Sequence, residues 1–333
     1  MSEYFVYAIG AALVDTEIEV SDDDLDQLSI EKGVMTLVDE ARQAEIKDHL
    51  SDKLASANHA CGGSAGNSLI AASQFGAPTY MSCLVANDED GDIYITDLEA
   101  CGVDHGFKSE RRTGTTGKCL VLITPDAERS MNTFLGVSET LSVTEVNEAT
   151  ISASTWIYLE GYLVTSPTGH AAALKTKQLA EANNTKVAVS FSDPGMVRFF
   201  RDNMNAMLEG GVDFVFCNEI EALEWAQTDH LDEAAERLKA ICRSFVITRG
   251  ADGAILYDGT DMHRVASERV NAVNTNGAGD MFAGAFFYAL WRGAAMLSAC
   301  EFAAKAAGAV VCQAGPRLSL DATKTLRDAY FNH

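Results

Sequence analysis

Asn274-Thr275-Asn276-Gly277-Ala278-Gly279-Asp280 runs directly into the apolar stretch Met281-Phe282-Ala283-Gly284-Ala285-Phe286. A turn so rich in small residues leaves backbone N–H groups uncovered where a helix begins. Unsatisfied donors and the positive end of the helix dipole make such a turn an anion site. Asp280 falls in the first helical turn, beside that anion. A carboxylate there can take the proton of a hydroxyl nucleophile while backbone N–H groups hold phosphate charge. On spacing alone, a Gly-rich turn with an acidic capping residue reads equally well. The second constellation is Cys61-Gly62-Gly63-Ser64-Ala65-Gly66-Asn67. Gly62-Gly63 permits close backbone approach to a ligand, and Asn67 stands near a helix start where its amide can reach a ligand hydroxyl.

Other patterns carry less. Gly62-Gly63-Ser64-Ala65-Gly66 also matches the G-x-S-x-G nucleophile elbow, which needs a strand immediately before it; Ser51–Ala60 reads as polar and not β-like. Gly114-Thr115-Thr116-Gly117-Lys118-Cys119 has glycines too close together for a phosphate-binding P-loop, and no Ser or Thr follows the lysine. Asp88-Glu89-Asp90-Gly91-Asp92 reads as a solvated acidic turn, its glycine misplaced for a calcium loop.

These residues need elements to position them. Apolar β-rich runs at Tyr4–Ile9, Thr79–Val85, Thr155–Leu159, Lys186–Phe191, Asp213–Cys217, Ser244–Thr248 and Gly253–Tyr257 alternate with helical patterns. Helices are expected over Ser64–Phe75, Gly169–Asn183, Met196–Leu208, Ile220–Gln227, Leu231–Ile241, Ala278–Trp291, Leu297–Cys312 and Asp321–Tyr330. Continuous apolar runs suit strands buried on both faces, so the alternation predicts an α/β fold with a parallel sheet between helical layers. Two stretches break the rhythm, about 12–35 and 104–135, and read as β insertions at strand ends, a small lid over the cleft.

Composition narrows the function. The 333 residues carry 25 Lys+Arg against 48 Asp+Glu, a formal charge of −23. This acidity argues against nucleic acid and anionic lipid as partners, while a local pocket can still hold a small anion. The eight cysteines form no CxxC pair and lie mostly in apolar stretches, the pattern of reduced thiols in a cytoplasmic protein. Met1-Ser2-Glu3-Tyr4 has no signal-peptide character.

In combination the two constellations resemble the PfkB (ribokinase-like) family of carbohydrate and nucleoside kinases. The family signature G-G-x-x-x-N matches at Gly62, Gly63 and Asn67, and D-T-x-G-A-G-D at Thr275, Gly277, Ala278, Gly279 and Asp280. Asp15, six residues past the first strand, matches the acidic residue that binds substrate hydroxyls. Asp126-Ala127-Glu128-Arg129-Ser130 resembles the lid segment D-G-E-R-T. Asn218-Glu219-Ile220-Glu221 fits the N-x-x-E motif, and Thr248-Arg249-Gly250 with Gly253 resembles the nucleotide-binding T-x-G segment. The matches fall in order over nearly the whole chain.

The resemblance implies a three-layer α/β/α ribokinase-like fold with a mostly parallel central sheet and a small β-sheet lid. Residues 1–333 would form a single kinase domain. It implies transfer of the ATP γ-phosphoryl to a primary hydroxyl, with Asp280 as general base and the N–H groups of Gly277, Ala278 and Gly279 holding phosphoryl charge. Asp15, Gly63 and Asn67 would bind the acceptor. Asn218, Thr248, Gly250, Gly253 and Arg129 would face the nucleotide, and Glu221 would order Mg2+. Asn274 stands where the family has Asp in a loop that helps form a monovalent-cation site. Potassium activation is therefore expected to be weak or absent. Thr275–Asp280 is similar to the T-N-G-A-G-D of adenosine kinases, which favours an adenosine-like ribonucleoside over ribose, a ketose or another sugar. A catalytically silent binding protein would have no need of Asp280. A lid with exposed β edges is expected to pair with a second copy in a homodimer.

Overall fold

In the computed structural model, which describes residues 2–107 and 111–331, the seven expected apolar runs all become strands of one nine-stranded sheet. The strands in chain order are β1 (Tyr4–Ile9), β2 (Leu13–Glu19), β3 (Met35–Leu37), β4 (Asn58–Gly62), β5 (Thr79–Ser82), β6 (Val103–His105), β7 (Gly117–Ile123), β8 (Arg129–Phe134), β9 (Ser154–Leu159), β10 (Lys186–Ser190), β11 (Val212–Asn218), β12 (Cys242–Thr248), β13 (Ala254–Tyr257) and β14 (Met262–Val265). The large sheet has the order β14-β13-β12-β11-β10-β9-β1-β5-β6. It is parallel from β6 to β12, and β13 and β14 close it antiparallel.

The pleat explains the apolar runs. Val6 and Ala8 of β1, Trp156 and Tyr158 of β9, and Phe214 and Phe216 of β11 enter one core. Tyr7 and Ile9, Ile157 and Leu159, and Val215 and Cys217 enter another on the opposite face. Successive side chains point to opposite faces, so a strand covered on both sides must be apolar throughout. The first core includes helices Ser64–Phe75, Ala278–Trp291 and Met296–Val310. A Cβ on Gly284 would overlap the Ser68 carbonyl and Ala71. Its absence lets the helix Ala278–Trp291 lie directly against Ser64–Phe75, which brings their N-termini together.

A smaller sheet has the order β3-β8-β7-β2-β4. Ile18, Val20, Leu120 and Leu122 pack outward against Leu25, Leu28, Ile46 and Leu50 of its covering segments. Leu13, Cys119, Val121 and Ile123 form the opposite face. The same alternation puts Asp15 and Glu17 on the face of Leu13, toward the large sheet.

Three stretches differ from the sequence reading. Asn58–Gly62 is a strand, paired antiparallel with β2 from Leu13↔Gly62 to Glu17↔Asn58. Its main-chain ladder is invisible to a hydrophobicity pattern, because an edge strand is held by backbone bonds. Asp88 is no solvated turn. It caps the helix Glu89–Ala100, accepting from Gly91 N at 2.9 Å and from Thr116 N at 2.8 Å. Met196–Leu208 divides at Phe200 into helices Pro194–Phe199 and Arg201–Leu208. Arg201 donates to the carbonyls of Trp225 and Glu224, at 2.7 and 2.6 Å, and so draws the second helix onto its neighbour's end.

Candidate active site

Chain order reverses across β1, with β5 on one side and β9 on the other. Loops that leave adjacent parallel strands in opposite directions open a crevice at their carboxyl ends. Ala11, past the end of β1, and Glu160, just after β9, line that crevice. Glu160 is 1% exposed, and its two oxygens accept from Ala11 N and Ala65 N, both at 2.7 Å. It ties the β1 loop to the start of the helix Ser64–Phe75. Burial pushes its carboxyl up to about 7.

The crevice widens into a cavity of about 450 Å³ that is lined by every one of the thirteen residues singled out for a role. Asp15, Gly63 and Asn67 lie with Asp280 and the 277–279 loop; Asn218, Glu221, Thr248, Gly250, Gly253 and Arg129 line the same space. Arg129 is the one cationic side chain in this lining among the described residues. Its charge bears on Asp193, Glu221 and Asp280.

Asp280 is held from two sides. Ser64 Oγ donates to Oδ1 at 2.6 Å, and Asn67 Nδ2 donates to Oδ2 at 3.2 Å. Arg317 Nε donates to Asn67 Oδ1 at 2.8 Å and fixes which end of that amide faces the carboxylate. Arg317 is itself ion-paired with Asp97 and bonded to the Cys61 carbonyl. Burial raises the Asp280 carboxyl above its ordinary range, against the two hydrogen bonds and the Arg129 and Arg317 charges. Gly277 has φ +75°, and a Cβ there would strike the Pro316 carbonyl. Nothing stands within 4 Å of a Cβ built on Gly279, so this end of the loop opens into the cavity.

Asp15 is 5% exposed, and its Oδ1 has no partner. Burial and the neighbouring Glu17 and Asp280 charges push it to about 7, while Arg317 works the other way. Oδ1 is turned toward Gly62 and sealed from solvent, while the Asp15 side chain also lines the cavity, where a carboxylate suits ligand hydroxyls. Glu221 behaves differently: it accepts from Asn218 N at 2.9 Å and from Asn218 Nδ2 at 2.8 Å, closing a capping box on the helix Glu219–Ala226.

Sequence reasoning missed Glu160, Arg317 and the role of Ser64. Glu160 left a signal, since a lone carboxylate ends the apolar run Trp156–Leu159 at the reversal of strand order. Arg317 left none, being 250 residues from Asn67. The strand that a nucleophile elbow needs is present after all, since β4 precedes Gly63. What excludes the elbow is Ser64 itself: its hydroxyl donates to Asp280, and no histidine lines the cavity among the described residues.

Asp15, Glu160 and Glu221 each titrate near 7, with burial the leading cause. In the unfolded chain they titrate at 3.8 or 4.5. Between about 4 and 7 the folded protein therefore holds protons that the unfolded chain has released, so stability falls as pH rises and levels off above. The ligand-free protein is expected to melt several degrees lower at pH about 7.5 than at about 5, with a shallower slope in Asp15→Asn. A flat melting profile would contradict this origin.

A three-layer fold that brings a carboxylate and an open helix start into one cleft has the parts that group transfer to a hydroxyl needs. The pfkB family carbohydrate kinase model matches residues 34–323, and the chain belongs to that family. Over 98% of its length the chain superposes on all of an adenosine kinase from Sinorhizobium meliloti, with a TM-score of 0.93 and 31% identity. It covers 99% of a probable sugar kinase from Rhizobium etli, using 98% of its own length, with a TM-score of 0.91 and 32% identity. Adenosine kinase from Schizophyllum commune is 26% identical over 95% of this chain and 97% of its own. The ribokinase-like fold is thereby established, and the chain is a phosphotransferase with an alcohol group as acceptor.

Proposed function

We propose that this enzyme transfers the γ-phosphoryl of ATP to the primary hydroxyl of an adenosine-like ribonucleoside. The observation that carries this is the meeting of Asp280 with the open 277–279 loop and the Asp15 side chain in one cavity. Asp15, Gly63 and Asn67 bind the acceptor's hydroxyls. Asp280 accepts the proton of the attacking hydroxyl, and the N–H groups of Gly277, Ala278 and Gly279 hold charge on the transferring phosphoryl. Asn218, Thr248, Gly250 and Gly253 face the nucleotide. Phosphoryl transfer depends on such positioning and electrostatics more than on covalent chemistry.

Leu13, Met35, Cys119, Met131, Leu135 and Tyr162 line part of the cavity. A bare sugar has little use for so much apolar surface, and a nucleobase does. The small sheet presents this face to the cleft, which suits a lid built from the insertions near 12–35 and 104–135, with the 36–62 connection adding β4.

The residues fit a magnesium ion that arrives with the nucleotide. Both Glu221 oxygens are taken by Asn218, and no cluster of His, Cys, Asp or Glu suited to a metal occurs among the described residues. An ion ligated by phosphates and keeping its waters needs only such outer carboxylates. Glu221 would then orient the ion's waters. Potassium activation is weak or absent in this reading, because Asn274 has both polar ends engaged within the protein.

A transfer assay with adenosine, inosine, ribose, fructose and 2-keto-3-deoxygluconate tests the acceptor, run with potassium and with a bulky organic cation. Adenosine is expected to give the highest kcat/KM. Preference for a sugar, the reading that the Rhizobium relative favours, would overturn the nucleoside assignment. ATP binding without transfer to any acceptor would make the chain a silent binding protein. For assembly, helices cover the lid's outer face, so a second copy would pair along the short edges β3 and β4; light scattering distinguishes dimer from monomer.

A further inference from the structure

Glu17 sits two residues after Asp15 on the cleft face of β2, and is only 4% exposed. Its Oε1 accepts from Asn274 Nδ2 at 3.1 Å and from Asn276 Nδ2 at 2.9 Å. Asn274 Oδ1 in turn accepts from Asn276 N at 2.8 Å. Between them, Thr275 Oγ1 donates to the Ala127 carbonyl at 2.9 Å, in the turn joining β7 to β8. The three residues that lead into Gly277 are thus gripped on two sides by the small sheet. Their own side chains, Asn, Thr and Asn, carry no charge. The carboxylate they bind belongs to the other sheet.

We infer that Glu17 is a positioning residue for phosphoryl transfer: it supplies from the small sheet the negative charge that orders the 274–276 segment and so aims the N–H groups of Gly277–Gly279. A single acidic oxygen that accepts two amide donors fixes both amides at once, and charge-assisted bonds are about twice as strong as neutral ones. Asn274, where the family signature has Asp, is then the neutral partner matched to the acid on β2. A charge at both positions would press two carboxylates together. The loop is set while the small sheet is docked on it, which links closure over the acceptor to order at the phosphoryl. This inference rests on the proposal that the 277–279 loop holds the transferring group.

The test is a mutant cycle read by kinetics and by melting. Asn274→Asp places a second carboxylate against Glu17 and is expected to lower kcat about 10-fold or more, with both KM values changed less than about 3-fold. Adding Glu17→Gln gives the new carboxylate an amide donor and leaves a carbonyl for Asn276, so E17Q/N274D is expected to regain activity to within about 3-fold of the parent. Glu17→Ala leaves both amides unpaired and is expected to lower kcat about 30-fold. If Glu17→Ala lowers Tm but leaves kcat per folded molecule unchanged, the residue is structural only and the inference falls. It falls as well if Asn274→Asp is fully active or Glu17→Gln fails to rescue it. Should the parent phosphorylate no acceptor, the proposed function fails instead. The Tm values still decide the Glu17–Asn274 contact, since N274D must melt lower and E17Q/N274D must recover.

Discussion

Asp280→Asn is expected to lower turnover by about three orders of magnitude with almost no change in fold, since a positioned general base contributes roughly 10²–10⁴-fold. The surrounding bonds make this substitution unusually clean. Arg317 donates to Asn67 Oδ1, so the Asn67 amide cannot flip, and its Nδ2 must keep facing residue 280. An asparagine there settles with its carbonyl toward Asn67 and its amide toward Ser64, whose hydroxyl rotates from donor to acceptor. Every bond survives, and only the capacity to take a proton is lost. Because burial works against the charged form of Asp280, the variant is expected to melt at or slightly above the parent. Nucleotide affinity should stay within a few-fold. Near-normal kcat at saturating substrates would remove Asp280 from the mechanism.

The residues that sequence reading found are those whose type is forced locally. Gly277 and Gly63 both adopt positive φ where a Cβ would meet a backbone carbonyl, and such a demand shows as glycine in any sequence. Asp280 and Asn67 sit in the first turns of helices whose apolar runs were plain. The residues it missed act across the chain. Glu160 joins the loop after β1 to the start of the helix Ser64–Phe75, Arg317 braces Asn67 from a loop after the helix Met296–Val310, and Glu17 reaches Asn274 and Asn276 from another sheet. Nothing in their neighbours' identity requires a charge there. β4 was illegible for a related reason, since its ladder is a property of β2 as much as of its own residues.

The overall charge of −23 takes on a different meaning beside the cavity. Residues 1–60 hold 14 acidic and 4 basic side chains, many of them on the small sheet's helices. The cleft itself has one cation, Arg129, in its lining among the described residues. In the proposed function an anionic nucleotide would be held by backbone donors and its own bound cation, and the field around the mouth would disfavour anions that arrive without one.

The second large effect falls on the acceptor. Asp15 reaches the cleft from the middle of β2, paired with Ala60 on one side and Cys119 on the other. A Cβ on Gly62 would overlap its carboxylate, so the absence of a side chain there is what lets Asp15 keep its place. Oδ1 is buried without a partner, an arrangement that costs stability, and in the proposed function the cavity-facing side of the same carboxylate accepts from ligand hydroxyls. A site built to hydrogen-bond a hydroxyl discriminates steeply once either partner is removed. Asp15→Ala is therefore expected to lower acceptor kcat/KM by about 10²–10³-fold, chiefly through KM, with the KM for ATP little changed. Ring-hydroxyl deoxy analogues sharpen the test. They should lose heavily against the parent and lose little more against Asp15→Ala, because the partner is already gone. Titration adds a sign: Asp15 ionises at about 7 in the empty site, and the ionised form is the stronger acceptor, so the parent's acceptor KM should fall as pH rises through 7. In Asp15→Asn that dependence should vanish. An acceptor KM that ignores both substitutions would place the hydroxyl-binding carboxylate elsewhere.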